Sequence, residues 1–283
     1  MTQEERRIWL IDRLLAENGS LDEEVSRTQK KRRSWSMNSE NEDGRNYKIP
    51  ADTQEQKELL RALMNVRMPR PIDREFLEIQ DEYLRAEMAL EDIVCVDELK
   101  GVSTDSRMVL WQGDITTLEI DAIVNAANSQ MCGCFRPLHN CIDNIIHTKS
   151  GIQLRLKCNE IMQRQGHEEP TGQAKITPAY NLPCKYVIHT VGPIVQGALT
   201  QEHCKLLESS YRSCLELAEA TGVTSIAFCC ISTGVFMFPN DKAAEIAVNT
   251  VRRFLEHSSS VQRVVFNVFK DVDYEIYNEL LKR

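Results

Sequence analysis

The chain has 283 residues, 42% apolar and 27% charged, with a formal net charge of −8. Such a chain buries a sizeable core in one large or two modest domains, and its acidic balance argues against a general polyanion binder while leaving room for a local basic pocket. No apolar run reaches the ~18 residues of a membrane span, and the charged start MTQEERRIWLIDRLLAE has no secretory h-region, so no membrane association and a cytoplasmic setting are expected. The ten cysteines are few for a disulfide scaffold of this length, and those in apolar runs, such as Cys229 and Cys230, read as buried thiols acting as small hydrophobes.

Residues 6–17 carry Ile8, Trp9, Ile11, Leu14 and Leu15 at helical spacing. Residues 18–50 are polar, basic around Gln29 to Arg33, and read as a linker or arm. A helix is predicted from Thr53 to about Arg67 and another from Asp73 to about Ala89, separated by Met68-Pro69-Arg70-Pro71 because proline cannot sit in a helix interior. Strands follow at Met108–Gln112 and Ala122–Ala126, then a long helix from about His139 to Gln165 with a candidate break at Gly151. Thr171–Thr177 and Lys185–Val191 read as strands, Gln201–Ala220 as a helix, and Ser225–Ile231 as a buried strand. Asn240 or Asp241 is the expected cap of a helix running to about His257, before a strand at Val261–Phe269 and a closing helix at Tyr274–Leu281. Alternating strands and helices imply a largely parallel sheet covered on both faces, with ligands beyond the carboxyl ends of its strands. The loops after Ala126 and Ile231 both lie at such ends.

The stretch from Gly113 to His147 concentrates the chemistry. Cys134, His139 and Cys141 form a C-x4-H-x-C spacing. Two thiolates and an imidazole suit zinc, at about 2.3 Å for sulfur and about 2.0–2.1 Å for nitrogen; the alternative is two incidental cysteines and a loop histidine. His139 and Cys141 can converge only if the backbone there is a loop or first turn, since residues two apart on a helix diverge. Cys132, His147 and Cys158 are candidate fourth ligands; without one, the metal keeps an open position, the reactive pattern. Asp143 is either a helix-entry charge or a carboxylate that orients or activates water. Asn125 and Asn128 flank Ala126-Ala127 at the end of a buried strand, as turn formers or ligand-facing amides. The loop Ser232, Thr233, Gly234, Val235 and Phe236 precedes a helix and can cradle a phosphate with backbone N–H groups, or be an ordinary strand-to-helix turn. Asp114 is a turn residue or a ligand contact.

The segments GDIT-(x4)-DAIVNAAN, TVGP and ISTGVF, in this order, resemble the macrodomain family, an ADP-ribose-binding α/β/α fold, over roughly residues 102–283. After NAAN the family's usual glycine-rich run is replaced by GCFRPLHNCIDN, which resembles the zinc-dependent microbial subgroup often associated with a sirtuin-type ADP-ribosyltransferase. The segment of residues 55–84 resembles that subgroup's helical N-terminal extension. The resemblance implies a three-layer α/β/α macrodomain (101–283) with a mixed, largely parallel central sheet and a helical extension packing on the core (52–100), while residues 1–51, the N-terminal helix and polar arm, stand outside it. It implies that Asp114 accepts the adenine amino group beside the Ile115 N–H, and that Asn128 contacts the distal ribose. It also implies Zn2+ on Cys134, His139 and Cys141, with Ile142 and Asp143 in the same corner. Residues 232–236 would wrap the pyrophosphate, with Phe236 against a ribose. Met237 departs from the family, which usually has glycine there.

The implied activity is a zinc-dependent hydrolase removing mono-ADP-ribose from modified proteins, with an Asp or Glu linkage, zinc as Lewis acid at the distal ribose, and Asp143 with Asn128 as the catalytic pair. The implied partners are the ADP-ribosylated protein, ADP-ribose as product and a sirtuin-type transferase sharing the target, with no nucleic acid. A non-catalytic ADP-ribose reader and an O-acetyl-ADP-ribose deacetylase are the alternatives.

Overall fold

The computed structural model describes residues 1–17 and 49–283, so nearly all of the arm read at residues 18–50, with its basic cluster, lies outside the described residues. Three helices come first: α1 (Gln3–Glu17), α2 (Thr53–Val66) and α3 (Arg74–Met88). Asp52 and Asp73 cap α2 and α3, their carboxylates accepting the N–H groups of Glu55 and Phe76, which satisfies donors with no partner inside the helix. The apolar stripes of the three helices meet in one cluster built on Leu10, Leu14, Leu60, Leu63 and Phe76, joined by Ile152 from the main body. Arg67 forks onto Glu17 with two bonds of 2.7 Å and ties α1 to the end of α2.

The main body contains β1 (Val94–Cys95), β2 (Met108–Gln112), β3 (Leu118–Glu119), β4 (Ala122–Ala127), α4 (Ile142–Ser150), α5 (Ile152–Gln165), β5 (Ala174–Pro178), β6 (Tyr186–Val191), α6 (Gln201–Ala220), β7 (Ser225–Phe228), α7 (Asn240–Leu255), β8 (Arg263–Val268) and α8 (Asp271–Leu281). The large sheet has the order β2-β8-β7-β4-β6-β5. All its pairs are parallel except β5 with β6. Val187–Val191 of β6 and Val264–Val268 of β8 are buried without interruption, as strands are when helices cover both faces. Asp121, just before β4, accepts from Thr224 N at 2.9 Å, Thr224 Oγ1 at 2.7 Å and Lys185 Nζ at 2.6 Å. It thereby fastens the starts of β4, β6 and β7 together.

Several boundaries differ from expectation. The helix expected from His139 starts at Ile142 and breaks at Gly151, whose φ is 99°. A Cβ there would lie 2.7 Å from Gln80 Nε2, and Gln80 Oε1 accepts the Ile152 N–H at 3.0 Å. A side chain of α3 therefore serves the N-terminus of α5. β7 stops at Phe228, short of the expected Ile231, where the chain leaves the sheet for a loop. Neither Asn240 nor Asp241 caps α7: Pro239 occupies the cap position, and Asn240 Nδ2 donates to Asp273 Oδ1 at 2.5 Å. The parallel pair of β1 with β3 was not expected, its strands being too short to show periodicity. Among the described residues, no helix is long and apolar enough to cross a membrane.

Candidate active site

The parallel strands present their carboxyl ends on one rim, where the turn carrying Asp114, the loop from Cys229 to Pro239 and the loop from Asn128 to Cys141 emerge after β2, β7 and β4. Because β8 and β7 separate β2 from β4, Asp114 and the β4 loop stand three strand spacings apart, roughly 14 Å. The loop after β7 lies between them.

Cys134, His139 and Cys141 converge. Their donor atoms lie within 4.8 Å of one another, and Cys134 Sγ is 3.6 Å from His139 Nδ1. The convergence is possible because Cys141 is still extended, at φ −87° and ψ 155°, and is the N-cap of α4, its Sγ accepting the Asn144 N–H. The neighbouring Cys141 thiol draws Cys134 down to about 5 despite partial burial, and the same interaction, with burial, pushes Cys141 up.

Asp143 sits behind this cluster, buried at 5% exposure. It accepts from Asn125 Nδ2 at 2.8 Å and Asn128 Nδ2 at 3.4 Å. Burial raises its carboxyl to about 7, opposed by the Asn125 bond and assisted by the charge on Cys134. The two asparagines differ. Asn125 is fully buried and also bonds His189 Nδ1 at 3.1 Å, while His189 Nε2 meets Thr177 Oγ1 at 3.0 Å. Burial lowers His189 to about 3, so the ring is neutral. With Nδ1 accepting from Asn125, its proton is on Nε2 and faces Thr177. Asn128 is half-buried; its Oδ1 accepts the Gln130 N–H at 3.0 Å and its amide reaches Gly133 O at 3.2 Å. It builds the turn as well as lining the site.

The loop after β7 closes on itself through Phe238 N to Ser232 O at 3.0 Å, and Phe236 O accepts Val195 N at 2.9 Å. Among the described residues, the N–H groups of Ser232, Gly234, Val235 and Phe236 have no acceptor. Such a row suits an anion. Ser232 and Met237 are left-handed, at φ 66° and 57°, so the backbone keeps at Met237 a conformation that favours glycine. Gly192 of TVGP lies under this loop: a Cβ there would stand 2.1 Å from Ser232 Oγ.

Asp114 Oδ1 receives Thr116 N at 2.9 Å and Thr116 Oγ1 at 2.6 Å, and Oδ2 receives Lys149 Nζ at 2.8 Å. Burial opposes its ionisation, but Lys149 and Thr116 outweigh burial and hold the carboxyl below its ordinary range. One lone pair of Oδ2 is left for an outside donor. The Ile115 side chain is buried in the core, so only its backbone can face a ligand. Ile142 is partly buried, at the first position of α4.

A Macro domain model matches residues 124–247. The chain is 53% identical over 283 residues to a protein-ADP-ribose hydrolase of Treponema medium, covering 99% of this chain and 100% of that one. The chain belongs to the macrodomain family. It is also 47% identical over 186 residues to a probable bifunctional ADP-ribose hydrolase/ADP-ribosyltransferase of Fusarium oxysporum f. sp. cubense, covering 62% of this chain and 31% of that one. The Trypanosoma brucei macrodomain in complex with ADP-ribose superposes with a TM-score of 0.62 at 30% identity, covering 75% of this chain and 92% of that one.

Within this macrodomain, two of the candidate fourth ligands belong elsewhere. His147 and Cys158 group with His189, all buried, rather than with Cys134, and Cys132 joins neither group. Burial drives His147 well below the ordinary imidazole range, and its Nε2 is 3.6 Å from Asp143 Oδ1. Sequence reasoning passed over His189, Thr177 and Phe269. His189 is brought to Asn125 by strand pairing, which spacing along the chain cannot reveal. Phe269 is 77% exposed at the end of β8, and its carbonyl receives Gln112 Nε2 at 3.4 Å. It is an aromatic face on the rim near Asp114, signalled only by a large apolar residue at a strand end.

Proposed function

We propose that this macrodomain is a zinc-dependent hydrolase that releases mono-ADP-ribose from modified proteins, with an ester to Asp or Glu as its linkage. The observation that carries this reading is the order of features along one rim. An acidic acceptor at Asp114, a loop with open amides at Ser232–Phe236, and a thiol–imidazole–carboxylate corner at Cys134, His139, Cys141 and Asp143 follow the strand order β2, β7, β4. ADP-ribose presents adenine, diphosphate and distal ribose in that sequence. The names of the Treponema and Fusarium relatives support the same reading.

The donor set fits zinc: two thiols and an imidazole within 4.8 Å of one another, one thiol already drawn toward its ligating thiolate form. Cys134, His139 and Cys141 would hold zinc, which would supply Lewis acidity for the reaction. The chain's own groups do the rest. Asp114 and the Ile115 N–H orient the adenine. The open amides of Ser232, Gly234, Val235 and Phe236 hold the diphosphate, Thr233, whose N–H is taken by Cys230 O, shapes the loop between them, and Phe236 packs on a ribose. Asn128 and Ile142 line the distal pocket. Asp143, aimed by Asn125, positions a water and takes its proton as the oxygen attacks the ester carbonyl carbon; the bond from that carbon to the ribose oxygen then breaks, the ribose oxygen takes up the proton, and the products are ADP-ribose and the free carboxylic side chain. A module that only binds ADP-ribose has no need of a buried carboxylate held by two amides. A sirtuin-type ADP-ribosyltransferase acting on the same target is the proposed partner, supported by the Fusarium relative whose name joins both activities.

The test pairs zinc content with release of ADP-ribose from a mono-ADP-ribosylated protein, before and after chelation. One equivalent of zinc, activity lost on chelation and restored by added metal is the expected result. Full activity in metal-free protein overturns the role of zinc, and zinc without release from any linkage overturns the hydrolase.

A further inference from the structure

The loop that carries the three candidate ligands has no regular structure of its own, yet five of its backbone groups are held by side chains from outside it. Arg155 of α5 donates to Cys132 O at 2.7 Å. Asn144 of α4, fully buried, donates to Cys134 O at 3.3 Å and Arg136 O at 3.0 Å. The remaining two contacts come from α2, in the helical extension. Asn65 Oδ1 accepts the Leu138 N–H at 3.1 Å. Arg61 Nη2 donates to His139 O at 2.8 Å and to Asn144 Oδ1 at 3.0 Å. Arg61 thus touches the backbone of one candidate ligand directly and, through Asn144, orients the amide that holds another.

We infer that α2 is a wall of the metal site, and that Arg61 and Asn65 are positioning residues that hold the ligand loop in its zinc-binding shape. This rests on the zinc reading above. Leu138 is left-handed, at φ 54°, a conformation that disfavours a non-glycine residue. It lies directly before His139, so the bond from Asn65 acts on a strained point of the loop beside a candidate ligand. His139 and Cys141, two residues apart, can face one ion only while this segment stays non-helical. Arg61 fixes the carbonyl of His139, and Asn65 fixes the amide before it. The anchor itself is firm: Asn65 is 1% exposed and donates to Thr148 Oγ1 at 2.9 Å. Arg155 Nη1 also binds the carbonyls of Met64, Asn65 and Arg67, at 3.0, 2.8 and 2.6 Å. One guanidinium therefore ties the end of α2 to the start of the ligand loop at Cys132.

The experiment is zinc competition against a chromophoric chelator on the full chain, comparing wild type with Arg61→Ala, Arg61→Lys and Asn65→Ala. Loss of a group that orients a metal ligand typically weakens the metal by about 10–100-fold, and a loss of that size is expected in both alanine variants. Arg61→Lys keeps the charge but loses the planar fork, so only partial recovery is expected. Amide exchange in the zinc-free protein gives the second readout, with faster exchange at residues 134–141 in Asn65→Ala and unchanged exchange in β4, β6 and β7. Wild-type zinc affinity in Arg61→Ala, or loop exchange that rises only together with that of the sheet, overturns the inference. A wild-type chain that takes up no zinc overturns the metal reading itself, which separates the two failures.

Discussion

Asp143→Asn changes the proposed base with almost no change of shape. The wild-type carboxylate is buried and faces two amide donors, Asn125 Nδ2 at 2.8 Å and Asn128 Nδ2 at 3.4 Å. A side-chain amide offers only one oxygen, so one of these donors is left facing an NH2 group, at a cost of about 1–3 kcal/mol. Against that, the variant has no charge to bury. Burial, opposed by the Asn125 bond and helped by Cys134, raises the wild-type carboxyl to about 7. Between the ordinary aspartate range, about 4, and that raised value, the folded protein holds a proton that the unfolded chain has shed. Wild-type stability therefore falls as pH rises through this window, by up to ~1.4 kcal/mol per pH unit, and levels off above it. The variant lacks this slope. In zinc-free protein, urea melts at about pH 5 and about pH 8 should show Asp143→Asn well below wild type at the lower pH and much closer at the higher. In zinc-loaded protein, release of ADP-ribose should fall by about 10²–10⁴-fold, as for loss of a general base, with ADP-ribose binding within a few-fold of wild type. Turnover at the wild-type rate refutes the assignment of Asp143 as base; parallel stability slopes refute the account of its burial.

Two further outcomes concern the loop after β7. Gly192→Ala brings a Cβ to 2.1 Å from Ser232 Oγ and 2.7 Å from an Ile231 methyl; it should cost about 1–3 kcal/mol by overpacking and weaken ADP-ribose in titration calorimetry at least about tenfold, whereas wild-type affinity would show that the loop does not need this close approach. Met237 is 72% exposed at φ 57°, so Met237→Gly removes a left-handed cost of about 1–2 kcal/mol against a glycine entropy penalty of about 0.5–1 kcal/mol; a higher urea midpoint is expected, and a lower one refutes the strain.

The strand order was legible only in part. Runs such as Val187–Val191 announce buried strands, and long amphipathic helices between them announce parallel pairing. β5 is the exception, and its direction follows from its link to β6, residues 179–185, too short for a crossover helix. In the candidate site, motif spacing singled out Asp114, Asn128 and the cysteine–histidine loop, each of which follows the end of a strand. It could not separate Asn125 from Asn128. That difference comes from His189 and Thr177, supplied by pairing of β4 with β6 and of β6 with β5. Nor could spacing assign His147: its i,i+4 relation to Asp143 puts it on the same side of α4, but its grouping with Cys158 and His189 depends on how α5 and β6 are packed.

Three aspartates of the central stretch carry the same side chain and do different work because their surroundings differ. At Asp121, burial would raise the carboxyl, but Lys185 and Thr224 bring it to about 2; with every donor supplied by neighbouring strands, it is a fastening of the sheet. Asp114 is likewise held below its ordinary range by Lys149 and Thr116 against burial, yet keeps exposed carboxylate for a ligand, with its side chain 36% accessible. Asp143 has no cation within hydrogen-bonding reach among the described residues, only two amides and a neutral imidazole, and it alone moves upward, to about 7. A group that must give and take a proton near neutrality needs that environment and would be useless in either of the others. Separation of the three is thus a reason, independent of any motif, to propose Asp143 for the chemistry and Asp114 for recognition, with Asp121 left to the architecture of the sheet.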